Sequence, residues 1–202
     1  MRWTLPVLAL LTLALAIAWP ALKEMQVNKL SEQSATRLRV EGIAMTMPGA
    51  GKPVQLQMNK PEYSGLDDQG RPYVITADHV IQEGMQPGTS AMQLEKPTAQ
   101  LTLDGTGKEH VDVDAATGFY DPAQKTLQLS GPVKVTHTTG YTLDLQDMSV
   151  DFIKGSGITD NPVSGRGPGG TLTGEKMEMQ DRGNRIILKG RSKIILTPKE
   201  NG

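Results

Sequence analysis

The chain has 202 residues, 21 Lys and Arg against 22 Asp and Glu, a net charge of −1 and no cysteine. This balance gives no global basic field to recruit nucleic acid, and without cysteine there is neither a disulfide framework nor a thiolate metal site. The length allows one domain of ordinary size with a real core.

Residues 3–22 read WTLPVLALLTLALAIAWPAL, with no charged side chain. Such a run matches the ~30 Å hydrocarbon thickness of a bilayer. Trp3 and Trp19 stand near its ends, where indole rings favour the membrane boundary. Arg2 precedes it, so the positive-inside rule keeps the N-terminus cytoplasmic. Ala14-Leu15-Ala16 and Ala16-Ile17-Ala18 also resemble small-residue cleavage sites, so a removed signal peptide is the alternative. Both readings export the remainder. The predicted organisation is an anchor over 1–22, a polar juxtamembrane stalk over 23–37, and a β domain over 38–202.

Beyond the stalk the sequence turns to short alternating runs broken by glycine and proline. The clearest is Leu127-Gln128-Leu129-Ser130-Gly131-Pro132-Val133-Lys134-Val135, whose odd positions are apolar apart from Gly131. Tyr141–Leu145 and Met148–Phe152 alternate likewise; Gln146 and Asp147 between them shift the phase, as a bulge or strand break would. Further strands are predicted in 38–47, 73–81, 92–103, 177–180 and 186–196. Turns fall at Asp67-Asp68-Gln69-Gly70, Asp104-Gly105-Thr106-Gly107, Asp121-Pro122, Thr139-Gly140 and Asp181-Arg182-Gly183-Asn184. No stretch after residue 40 sustains a helical period, so the exported part is all-β: a sandwich, barrel or roll.

Leu127-x-Leu129-x-Gly131-x-x-Lys134-Val135 recurs as Ile186-x-Leu188-x-Gly190-x-x-Lys193-Ile194. Either this is a structural repeat or it is the strand–glycine–strand pattern common to β proteins. A true repeat would stack units and leave open strand edges at both ends.

Chemistry is scarce. The 3 histidines, His79, His110 and His137, have no ligand-spaced partner. Asp112-Val113-Asp114 lacks the glycine and the terminal glutamate of a calcium loop. The stretch Gly165-Arg166-Gly167-Pro168-Gly169-Gly170 lacks the Lys-Ser/Thr of a phosphate loop and is predicted to connect strands. No cofactor, metal or catalytic constellation is called for, so the chain is predicted not to be an enzyme. The 10 methionines against 4% aromatic residues fit an adaptable apolar lining for acyl chains or a loosely specified core.

The single span, the stalk and the ordered strands include Thr76-Ala77-Asp78-His79-Val80, the Leu127–Val135 run and Val163-Ser164-Gly165. Together they resemble the lipopolysaccharide-transport protein C family (LptC), and more broadly the OstA-like β-jellyroll group. The resemblance implies an open, twisted, antiparallel β-jellyroll preceded by one N-terminal transmembrane helix. It places the chain in the cell inner membrane as a single-pass protein with its bulk in the periplasm. The implied cargo is lipopolysaccharide, accepted from an ABC transporter at the N-terminal edge and passed to a periplasmic bridge jellyroll at the C-terminal edge. The implied groove residues are Leu127, Leu129, Val133, Val135, Leu143, Leu145, Ile186 and Leu188, and the matched glycines are Gly70, Gly131 and Gly165. The last strand, with Ile186, Ile187, Leu188, Ile194 and Leu196, is the implied partner edge. Where the family often has an aromatic residue before the strand-ending glycine, this chain has Ser130. A tethered scaffold that binds only protein, with a filled core, is the rival, and an exported carbohydrate-active enzyme the third.

Overall fold

The computed structural model describes residues 37–46, 54–84, 90–104 and 107–197. The predicted anchor over 1–22 and the stalk as far as residue 36 lie outside the described residues. Among those described, no helix is long and apolar enough to cross a membrane.

Among the described residues, period-two alternation is realised as 15 strands joined in one hydrogen-bonded network. The short strands come first: β1 Arg37–Arg39, β2 Gly42–Thr46, β3 Gln55–Asn59, β4 Glu62–Leu66, β5 Pro72–Thr76, β6 His79–Glu83, β7 Met92–Glu95 and β8 Thr98–Thr102. Then come β9 His110–Asp121, β10 Thr126–His137, β11 Thr142–Asp151, β12 Ser156–Thr159, β13 Val163–Gly167, β14 Gly170–Gln180 and β15 Arg185–Leu196. Every pairing is antiparallel.

The long strands are each shared between two layers. Residues 110–114 of β9 pair with β8, whereas residues 117–120 pair with β7. Likewise β11 and β14 pair with β13 through one half and with β12 through the other. One layer therefore runs β1-β4-β5-β8 into the first half of β9, and the other runs β2-β3-β6-β7 into its second half. Cross-layer packing joins their inner faces: the Tyr63 hydroxyl of β4 donates to Met92 Sδ of β7 at 2.8 Å, and the Tyr73 ring stacks on Phe152 at 4.4 Å.

The corner between layers is built by glycine bulges. In β10, Gly131 and Pro132 together oppose the single residue Gln146 of β11 and the single residue Ala116 of β9. In β15, Gly190 and Arg191 oppose Glu175 of β14. Gly131 and Gly190 have φ of 87° and 78°, conformations that glycine adopts without steric cost. The sequence repeat is thus a structural one, with a bulge glycine at the same place in each unit.

The phase shift in β11 is also real. Leu143 and Leu145 point inward on one side of it, Met148 and Val150 on the other. Its cause differs from the expectation, because the bulge belongs to the neighbouring β10 and β11 runs unbroken through Gln146 and Asp147. Further boundaries differ: the predicted runs 73–81 and 92–103 each divide into two strands in different layers, β5 from β6 and β7 from β8. The run 38–47 divides at Val40 into β1 and β2, which lie in different layers, and β1 starts at Arg37 within the predicted stalk. The glycine-rich stretch from Gly165 is the β13–β14 hairpin, with Gly165 in mid-strand. The strand predicted over 177–180 begins at Gly170.

Candidate functional site: a cavity at the C-terminal end of the roll

Strand register aligns one inner row across the β1 layer: Leu38, Tyr63, Ile75, Ala99, Val113, Val135, Leu143, Gly165, Leu172 and Ile194. Exposure along it is 0% at Ile75 and Val113, 5% at Val135, 7% at Leu143 and 64% at Ile194. The core therefore closes tightly in the N-terminal half and opens toward β15. A second inner row, on the β2 layer, runs Leu56, Gln82, Met92, Tyr120, Leu127, Val150, Gly157, Met179 and Ile186.

Where the rows diverge, a cavity of about 400 Å³ opens between the layers. Val111, Val135, Leu143 and Leu172 line one wall, Met179 and Ile186 the other, and His137, Thr139, Tyr141 and Asn184 rim it. Its size and apolar walls suit an apolar ligand. Gly165 contributes to its shape: a Cβ there would sit 2.5 Å from Leu143 Cδ2 and 3.0 Å from Leu172 Cγ, so these two leucines lean over the space a side chain would fill. A second hollow, of about 660 Å³, is lined by Val133, Leu145 and Val163 together with the polar Lys134, Asp144 and Ser164.

Of the predicted groove residues, Val135, Leu143 and Ile186 line the first cavity, and Val133 and Leu145 line the second. Leu127 and Leu129 are sealed in the core at 0% and 2% exposure, and Leu188 packs on its margin. The interior is neither a continuous groove nor a solid core; it is filled at one end and hollow at the other. Aromatic side chains do the filling: the Tyr63 and Tyr120 rings lie 5.6 Å apart, and Tyr120 meets Phe152 edge-on. Burial raises the Tyr63 phenol above its ordinary pKa of 10.0.

Methionine serves the core more than the cavity. Met58, Met92, Met148, Met177 and Met179 are buried, Met45 is exposed, and only Met179 lines the first cavity. Met47 and Met85 lie outside the described residues. The histidines stay apart: His79 contacts Asn59, His110 contacts Asp112 and His137 contacts Thr139. No group of metal-ligating side chains forms among the described residues.

Gly70, with φ of 75°, closes the β4–β5 turn, where its N–H donates to Asp67 O at 3.2 Å. That turn holds a feature with no local sequence signature. Arg182, in the turn between β14 and β15, is fully buried. Its Nε lies 2.9 Å from Asp67 Oδ2, as an ion pair not aligned for hydrogen bonding. Its terminal nitrogens donate to Pro72 O and Thr102 O at 2.7 Å and to Arg71 O at 2.8 Å. Burial pulls the guanidinium below its ordinary pKa, and Asp67 opposes that pull. Arg71 completes the cluster, bonding Asp67 Oδ2 at 2.9 Å and Asp181 Oδ1 at 2.8 Å.

On the final strand, Ile186, Ile187 and Leu188 are half-buried, whereas Ile194 and Leu196 are exposed. Its one pairing among the described residues is with β14, so its other edge carries free backbone donors and acceptors.

A family model described as "Lipopolysaccharide-assembly, LptC-related" matches residues 49–197. Among solved structures, the chain is similar to LptH of Pseudomonas aeruginosa, described as the LptA homologous periplasmic component of the conserved lipopolysaccharide transport device. The two share 10% identity with a TM-score of 0.40, over 82% of this chain and 96% of that one. No curated protein matches the chain.

Proposed function

The chain belongs to the LptC-related lipopolysaccharide-assembly family, and on that premise we propose that it is an inner-membrane-anchored periplasmic carrier of lipopolysaccharide. Residues 1–22 anchor it, 23–36 form the stalk, and the β-jellyroll accepts lipopolysaccharide from an ABC transporter and passes it to the next jellyroll of a bridge. The observation that carries this reading is the apolar cavity at the C-terminal end, to which the final strand β15 contributes Ile186. Acyl chains held there are spared water, worth ~0.8 kcal/mol per methylene. Energy comes from the transporter, so the carrier needs no catalytic residue.

Val135, Leu143 and Ile186 take the acyl chains in the first cavity, with Val133 and Leu145 at the second hollow. Leu127, Leu129 and Leu188 hold the wall behind them. Ile194 and Leu196 stand at the edge that a partner strand extends, by β-augmentation. A scaffold with a filled core would account for the aromatic end but not for the cavity. The test is equilibrium binding of purified lipopolysaccharide to the full chain and to Leu143→Lys. The variant is expected to lose at least tenfold in affinity with an unchanged circular dichroism spectrum. Equal affinity would refute the assignment.

A further inference from the structure

The two layers meet along two lines. One is the corner, where the bulges at Gly131 and Gly190 let β10 and β15 bend. The other is the opposite seam, formed by the turns at the far ends of the strands. A small set of contacts at the strand ends closes the seam: Asp67 with Arg182, the Arg182 guanidinium donating to Arg71 O, Pro72 O and Thr102 O, Arg71 with Asp181, the Tyr73–Phe152 stack, and the Asp68 N–H donating to Ile153 O at 3.3 Å. The cavity ends at this closure, since its rim residues Gly183 and Asn184 directly follow Arg182. On the other side the interior is filled by Tyr63, Tyr120 and Phe152.

Cargo cannot pass between the filled end and the hollow end while the layers are clamped. We infer that Asp67 and Arg182 form a latch on the seam of the roll, and that its release lets the layers part about the glycine corner so that acyl chains enter the N-terminal half. The inference rests on the lipid-carrying function proposed above. The chemistry of the clasp fits release. Buried ion pairs contribute little net stability compared with apolar packing, and both charges regain water when the seam opens. An apolar seam would have no such compensation. Asp67 and Arg182 are positioning residues in this scheme; neither touches the cargo.

Removing either partner could unfold the chain, so the test locks the seam and leaves the clasp intact. Asp68 and Ile153 are joined by a backbone hydrogen bond, which puts their Cα atoms within disulfide reach. With no native cysteine, Asp68→Cys with Ile153→Cys creates a single reducible crosslink in the full chain. The methionine methyl groups report occupancy without further substitution, Met179 in the cavity and Met58 and Met92 in the filled half. Purified lipopolysaccharide is added to deuterated protein carrying labelled methionine methyls, and methyl-to-acyl-chain NOEs are recorded. The latch predicts NOEs at Met179 in both redox states, and at Met58 and Met92 only after reduction. NOEs at Met58 and Met92 that survive oxidation, or that are missing in both states while Met179 shows them, overturn the latch. No NOE at Met179 in either state overturns the lipid-carrying function and the latch with it.

Discussion

Replacing Arg182 with Ala takes away one half of a buried ion pair and three hydrogen bonds to main-chain oxygens. The Asp67 carboxylate keeps three donors, the N–H groups of Gln69 and Arg71 and the Arg71 side chain. The oxygens of Arg71, Pro72 and Thr102 lose the guanidinium altogether. Breaking a buried pair from one side costs about 3–5 kcal/mol, and each buried carbonyl left without a donor adds a penalty of about 1–3 kcal/mol unless water reaches it. The turns lie at the end of the strands, where water can enter, so a net loss of about 3–5 kcal/mol is expected. In a domain of this size that lowers the melting temperature by roughly 10 °C. Urea unfolding of the full chain in mild detergent, followed by far-ultraviolet circular dichroism, reads the change. Asp67→Leu combined with Arg182→Met should regain at least half of the loss, because the charge is then removed from both sides. A loss under about 1 kcal/mol for Arg182→Ala, or no recovery in the pair, would refute the clasp as the element joining the layers.

Gly131→Ala forces a side chain into φ of 87° and sets its Cβ 2.9 Å from that of Ala116. The expected cost is about 1–3 kcal/mol, measured by the same urea titration. The buried Tyr63 phenol holds its proton more tightly folded than unfolded. Its contribution is fully present below the ordinary pKa of 10.0 and is lost as pH rises above it. Stability measured from pH 8 to 11.5 should therefore fall less steeply in Tyr63→Phe than in the parent chain.

The local face of each strand was legible in the sequence because alternation is a local property. Leu127, Leu129, Val133 and Val135 all point inward, as their odd spacing implies. The bulge glycines were legible as a repeat. What alternation cannot carry is depth: Leu127 and Leu143 have the same pattern, yet one is sealed in the core beside Tyr120 and the other lines a cavity. That difference depends on which strand of the opposite layer lies above, a long-range matter. The phase shift at Gln146 was visible, but its cause lay on the neighbouring strand. Asp67 and Arg182 read as ordinary turn residues, since nothing within either turn records that distant segments meet. The unusual mark, a basic side chain in a left-handed turn at φ of 56°, emerges only with the backbone.

Site-specific photo-crosslinking in cells tests the central claim most directly. A benzoylphenylalanine at position 143 or 172 faces the cavity, and one at 128 or 149 faces outward from the opposite layer. Acyl-chain carriage through the roll predicts lipopolysaccharide adducts at 143 and 172 and none at 128 and 149. Adducts at the outward positions alone, or equal yields at all four, would contradict it.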